Sequence, residues 1–219
     1  MAVALPTSGQ KDCDALKMVV IGQMGAGKTS LIRRYVHNKF AGSYQSTIGL
    51  DFAMKSVDLD QGRQIKISFW DVAGQERYGH MTRLYFKDAL AALVVFDVTS
   101  HESFRAVQHW KADLDKNVRL PKSDNVIPAL LIANKIDKVV NGEIPVLSDE
   151  QLEAFVKEHG FIGYAKTSAK TRVGIDDALG TLVHKLIEGG YVVPREKKGV
   201  SLTERVPAAQ ESSCFMTCS

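Results

Sequence analysis

Gly22-Gln23-Met24-Gly25-Ala26-Gly27-Lys28-Thr29 satisfies the pattern G-x-x-x-x-G-K-[ST], and no other feature limits the fold of this 219-residue chain as much. Its context gives the pattern meaning: an apolar run, Leu16 to Ile21 (LKMVVI), precedes it and a helical period follows. In that setting the glycines let backbone N–H groups turn toward phosphate oxygens. Lys28 supplies a point charge, Thr29 offers a hydroxyl to Mg²⁺, and the helix N-terminus adds its positive end. A Gly-rich turn matched by chance is the alternative, and the motifs downstream weigh against it.

Around this loop the chain alternates two kinds of segment. Ala91 to Val98 (AALVVFDV) and Val126 to Ala133 (VIPALLIA) are β-rich and almost continuously apolar, as strands covered on both faces are. Between such runs lie helical periods. The clearest puts Ile175, Ala178, Leu179, Leu182, Val183, Leu186 and Ile187 on one stripe. Ser148 with Gln151 reads as a capping box before Leu152 and Phe155, and Thr99 with Glu102 repeats the signal before Phe104 and Val107. Leu50 to Leu59 and Ile65 to Phe69 flank Asp60-Gln61-Gly62-Arg63 and predict a hairpin. That gives one antiparallel edge strand on an otherwise parallel sheet. Residues 1–15 and 190–219 lack sustained periodicity and read as flexible extensions of a domain at 16–189.

Composition removes several function classes. Lys and Arg total 28 against 25 Asp and Glu, a formal charge of +3, too even for a nucleic-acid binder that works by neutralising phosphates. The three cysteines, Cys13, Cys214 and Cys218, all lie near the ends, unlike those of a secreted disulfide scaffold. Met-Ala-Val-Ala-Leu-Pro lacks the basic leader and apolar run of a signal peptide, and Ala2 excludes N-myristoylation. The most apolar stretch, Ala89 to Phe96, is far too short to span a bilayer. The expectation is a protein in the cytosol or anchored to a membrane from that side. His37, His80, His101, His109, His159 and His184 show no metal-ligand spacing.

Three further motifs carry chemistry. Asp71-Val72-Ala73-Gly74 follows the predicted strand Ile65 to Trp70. A carboxylate there can hold Mg²⁺ through water, Gly74 has an N–H to offer a terminal phosphate, and the Gln75 amide can orient an attacking water. Asn134-Lys135-Ile136-Asp137 follows the apolar strand ending at Ala133, at the kind of strand end where open α/β sheets bind ligands. Asp137 can accept from guanine N1–H and the 2-amino group, donors that adenine lacks. Sites built on such pairs discriminate by about 10⁴-fold or more. Thr167-Ser168-Ala169-Lys170 adds a backbone N–H for guanine O6. Taken singly, Asn134 to Asp137 also reads as a polar turn, and Ser168 to Lys170 as a helix cap.

Taken in order, these motifs resemble the Ras superfamily of small GTPases over about Leu16 to Glu188. The resemblance implies an α/β P-loop NTPase fold: a mostly parallel six-stranded sheet with one antiparallel edge strand and helices on both faces. It also implies that Thr47, in Ser46-Thr47-Ile48-Gly49, meets Mg²⁺ and the γ-phosphate, that Phe40 packs across guanine, and that Gln75 positions the hydrolytic water. Ile48-Gly49-Leu50-Asp51-Phe52, Trp70-Asp71 and Ala73-Gly74-Gln75-Glu76-Arg77 are similar to Rab proteins. By that similarity Phe52, Trp70 and Tyr85 form a hydrophobic triad read by effectors. Arg34-Tyr35-Val36-His37, Met81-Thr82-Arg83, Trp110 to Asp115, Glu158 to Phe161 and Val72 resemble the Rab-thirty-two/thirty-eight branch.

The resemblance implies a switch between GTP and GDP forms in vesicle trafficking. The nucleotide would be held by Gly22, Gln23, Met24, Gly25, Ala26, Gly27, Lys28, Thr29, Ser30, Phe40, Thr47, Gly74, Asn134, Lys135, Asp137, Ser168, Ala169 and Lys170. Mg²⁺ would sit on Thr29, Thr47 and Asp71, with Lys28, Thr47 and Gln75 as the catalytic set. The resemblance further implies an exchange factor, an activating protein that supplies an arginine in trans, effectors, a GDP-dissociation inhibitor and an escort protein. The implied location is the cytoplasm and the cytosolic face of endosomes, lysosome-related organelles or mitochondria-associated membranes.

Two departures stand out. Met24 occupies a position that is Gly in Ras proteins, where a side chain crowds the γ-phosphate; a non-hydrolysing scaffold held with GTP is therefore the rival reading. The end, Cys214-Phe215-Met216-Thr217-Cys218-Ser219, has neither the adjacent nor the once-spaced cysteines usual in Rabs. Cys214 and Cys218 are still the candidate geranylgeranyl sites. A metabolic P-loop kinase is disfavoured by Asn134 to Asp137 and by the lack of a lid or acceptor-site signature.

Overall fold

The computed structural model describes residues 15–42, 47, 50–59, 62–74, 82–120, 123–192 and 194–196. β1 (Leu16–Ile21) runs through the loop at 22–27 into α1 (Lys28–His37). The hairpin strands β2 (Leu50–Asp58) and β3 (Arg63–Val72) follow, then the short α2 (Thr82–Phe86). β4 (Ala91–Asp97), α3 (His101–Asn117), β5 (Ala129–Asn134), α4 (Ile136–Val140) and α5 (Asp149–Glu158) make up the middle of the chain. β6 (Tyr164–Thr167), α6 (Ile175–Glu188) and the two-residue β7 (Arg195–Glu196) complete it.

The strand order is β2-β3-β1-β4-β5-β6. β2 and β3 pair antiparallel, with Phe52 opposite Trp70, and every other neighbouring pair on this path is parallel. This is the mixed six-stranded sheet that the resemblance implies, with its antiparallel pair where the hairpin predicts it. Alternate residues of the central strands feed two separate cores, which is why those strands read as unbroken apolar runs. Val19, Ile21, Phe96 and Leu131 pack with Trp110 and Leu114 of α3 and Phe155 of α5. Met18, Val20, Leu93 and Ile132 pack with Leu31 and Tyr35 of α1 and with the Ile175 to Leu186 stripe of α6.

Three expectations need correction. β5 begins at Ala129, not Val126, because Pro128 has no N–H to give a ladder; its carbonyl instead accepts from Ala92 N–H at 3.0 Å. The cap of α3 is Ser100, whose hydroxyl accepts from Ser103 N–H at 3.2 Å. Thr99 is not the cap: its hydroxyl points to Asp97, donating at 2.8 Å, and accepts from Lys138 Nζ at 3.1 Å rather than from a helix N–H. Finally, the segment read as a tail from 190 onward contains β7, which pairs antiparallel with Arg63 and Gln64. β2 already occupies one side of those residues, so β7 takes the side where β1 has not yet begun. The capping box at Ser148 and Gln151 forms as read, with bonds of 3.3 and 2.8 Å.

Candidate nucleotide-binding site

Because β1, β3, β4, β5 and β6 run parallel, their C-terminal ends share one rim of the sheet. The chemistry-bearing motifs all sit on that rim. Gly27 caps α1 at φ 93°, a left-handed conformation that favours glycine, and a Cβ there would lie 2.5 Å from Asn134 Nδ2. Gly74 likewise has no room for a side chain: a Cβ would stand 2.3 Å from the Met24 backbone nitrogen. The loop at 22–27 is thus pressed between β3 and β5.

Lys28 is buried under this loop and donates to the carbonyls of Gly22 and Gln23 at 2.9 and 3.1 Å. Burial pushes its ammonium down to about 8, against the pull of Asp71. The next residue, Thr29, donates its hydroxyl to Asp71 Oδ2 and stands 2.6 Å from the Thr47 hydroxyl. With its own proton committed, Thr29 receives the proton of Thr47. Burial pushes the Asp71 carboxyl up to about 6, although the Thr29 hydrogen bond and Lys28 oppose the rise. Among the described residues, Asp71 Oδ1 has no hydrogen-bond partner. Two hydroxyls and a carboxylate with one idle, buried oxygen form an oxygen-only donor set, which fits a hard cation such as Mg²⁺.

The other end of the rim is tied together by Asn134. Its amide donates to Ala26 O at 2.9 Å, while its Oδ1 accepts from Thr167 Oγ1 at 3.2 Å and Ala169 N–H at 3.3 Å. One side chain therefore connects the loop at 22–27, β5 and the turn after β6. Ser168 donates to Asp137 Oδ1 at 2.6 Å. Arg34, from α1, grips the same turn, with Nε on Ala169 O and a terminal nitrogen on Lys170 O, both at 2.8 Å. Its guanidinium also lies 5.7 Å from the centroid of Phe40.

A cleft of about 280 Å³ results. It is lined by Met24, Gly25, Gly27, Lys28, Thr29, Ser30, Phe40, Thr47, Gly74, Asn134, Lys135, Asp137, Ala169 and Lys170, all of them sequence candidates. Gly22, Gln23, Ala26, Asp71 and Ser168 are not in that lining, and Asp71 lines a neighbouring cleft with Thr29, Asp51 and Phe52. Gln23 turns its amide to Glu102 at 3.0 Å, and Ala26 contributes only its carbonyl. Gln75, Cys214 and Cys218 lie outside the described residues. Sequence reading missed Arg33, Lys39, Ala41 and Gly42 in the cleft wall, and the grip of Arg34. The basic run at Arg33-Arg34 was the available signal.

The model of the Ras family matches residues 17–188. The chain is 43% identical over 202 residues to Ras-related protein Rab-32 of Homo sapiens, covering 90% of this chain and 88% of that protein. The chain belongs to the Ras family, as a Rab GTPase of the Rab32/38 branch. Rab-32A of Dictyostelium discoideum is 43% identical over 172 residues, covering 78% of each chain. Rab-7L1 of Homo sapiens is 41% identical over 171 residues, covering 78% of this chain and 82% of that protein. The GTPase accordingly binds guanine nucleotide, hydrolyses GTP and works in membrane trafficking. No helix of its described residues is long and apolar enough to cross a membrane. On its β2–β3 surface, Phe52 is 51% exposed and meets Trp70 edge to face at 5.8 Å. Lys17 Nζ caps the Trp70 ring at 3.6 Å, and Tyr85 of α2 packs on the same core as Trp70.

Proposed function

We propose that the cleft holds GTP or GDP with its phosphates on the loop at 22–27 and its base between Phe40, Lys135 and Asp137. The tie that Asn134 makes between the phosphate loop and the turn at 168–170 supports this reading most. In it, Lys28 trades its two carbonyl partners for phosphate oxygens, which restores an ammonium that burial alone disfavours. Asp137 takes N1–H and the 2-amino group, the Ala169 N–H trades its 3.3 Å bond to Asn134 Oδ1 for O6, and the Gly74 N–H takes the terminal phosphate. Thr29, Thr47 and Asp71 hold Mg²⁺, which supplies charge neutralisation at the phosphates when bound. Gln75 orients the attacking water, and Met24 beside the terminal phosphate keeps turnover slow until an activating protein adds an arginine.

The remaining roles follow from the same family reading. Phe52, Trp70 and Tyr85 receive effectors in the GTP form at endosomal or lysosome-related membranes. An exchange factor, a GDP-dissociation inhibitor and an escort protein complete the cycle, and Cys214 or Cys218 carries geranylgeranyl.

Base recognition and chemistry are tested separately. Asp137→Asn should weaken GDP and favour xanthine nucleotide, because the new amide donor faces the 2-oxo group. Gln75→Leu should leave binding near the parent level and slow single-turnover hydrolysis, with and without activator. Equal GTP and ATP binding by the parent protein would overturn the base assignment. Unchanged turnover in Gln75→Leu would overturn the water assignment.

A further inference from the structure

Asp97 closes β4 directly beside Asn134 in the β4–β5 register, and the nucleotide reading gives it no task. Its side chain is only 9% exposed, yet four donors converge on it. Thr99 gives its N–H and hydroxyl to Oδ1 at 3.0 and 2.8 Å. Lys135 Nζ and Lys138 Nζ reach Oδ2 at 2.9 and 3.2 Å. Burial alone would raise this carboxyl; the bonds from Lys135 and Thr99 outweigh it and hold the group below the usual carboxylate range. The carboxylate thus lies between two ammonium groups.

The two lysines differ in what they touch. Lys138 also meets Thr99 Oγ1 at 3.1 Å and Glu143 at 3.7 Å, away from the cleft. Lys135 lines the cleft itself. Its backbone sits at φ 69°, a left-handed conformation that costs a non-glycine residue free energy. Its Cε lies 3.6 Å from the position a Cβ would take on Gly27. The methylene stem therefore runs from β5 toward the phosphate loop, with its ammonium fastened at Asp97. A free lysine in such a wall would sample many rotamers, and ordering them on binding would cost affinity.

We infer that Asp97 is a positioning residue for nucleotide retention: by fastening the Lys135 ammonium it keeps that stem laid along the cleft as a preformed support for the base. The inference rests on the placement of the base against Lys135 proposed above. It also separates support from reading, since Asp137 inspects the 2-amino group and Lys135 does not. Loss of Asp97 should loosen all purine diphosphates bound there by one common factor.

The test measures release of fluorescent GDP from the full chain carrying Asp97→Asn, Lys135→Met or Lys138→Met, and from the double variants. Asp97→Asn should speed release about tenfold, the order of one charge-assisted hydrogen bond. That acceleration should nearly vanish in the Lys135→Met background and persist in the Lys138→Met background. The ratio of GDP to IDP affinity should stay at the parent value, a readout that general loosening of the base site would disturb. Asp97→Glu, which keeps the charge but moves it by one methylene, should give a smaller acceleration and serves if the Asn variant does not fold. An acceleration undiminished by Lys135→Met, or none at all, overturns the inference. If Lys135→Met itself leaves release unchanged, the base placement fails first, and this proposal fails with it.

Discussion

Asp71 shows what a single residue costs when its partner is a cation. Its carboxyl is pushed from about 3.8 to about 6 by burial, and its Oδ1 has no partner among the described residues. Between those two values the folded state holds a proton that the unfolded chain has released. Stability of the metal-free protein should therefore fall as pH rises from about 4 to about 6 and stay low above that. A shift of two units corresponds to roughly 3 kcal/mol. We expect Asp71→Asn to raise the Tm of chelator-treated protein near pH 7.5 and to raise it much less near pH 4.5. Added Mg²⁺ should reverse the advantage, because the amide is a poorer ligand. Equal melting of parent and variant in chelator near pH 7.5 would count against the burial argument. The sequence names Asp71 as a ligand from its place after a strand, but the idle oxygen depends on Thr29 folding back onto Oδ2, which only three-dimensional contact reveals.

Among the elements, α1 does more than present a helix N-terminus. Its first residues, Lys28 and Thr29, face the phosphate end, while Arg34, two turns on, clasps the turn at Ala169 and Lys170. Arg34→Met removes both bonds and should speed GDP release about tenfold, with little change in hydrolysis once nucleotide is saturating. Arg34→Lys should not restore retention, since a point charge cannot span two carbonyls as the planar fork does. Stopped-flow release with the three proteins decides it, and parent-like retention in Arg34→Lys would show that charge alone suffices. Such a clasp was hidden in the sequence because its partners are 135 residues apart. Local signals fared better where nothing distant competed: the Ser148 capping box and the Ile175 to Leu186 stripe formed as read. Thr99 is not the cap because its hydroxyl is turned away from the helix, donating to Asp97 and accepting from Lys138.

At the scale of the whole molecule, the apolar runs and one hairpin marked five strands, β1 to β5, and runs apolar on both faces foretold a core on each side of the sheet; the sixth strand rested on the family resemblance. What those patterns could not show is β7, since a two-residue strand has no periodicity of its own. Membrane attachment is tested on the intact chain: with Cys214 and Cys218 both changed to Ser, the protein should lose its membrane fraction, while the parent's intact mass should exceed its unmodified value by one or two prenyl groups. A parent of unmodified mass that stays soluble would mean recruitment through partners alone. β7 grips Arg63 and Gln64, whereas Asp71 lies seven residues further along the same strand. At about 3.3 Å per residue, the last paired stretch of chain sits roughly 23 Å behind the phosphate end. The roughly 22 residues from there to Cys218 reach at most about 80 Å. With lipid on Cys218, a tether of that length would be about three times the distance from β7 to the phosphate end, so a protein could empty or refill the cleft in any orientation without dislodging the anchor.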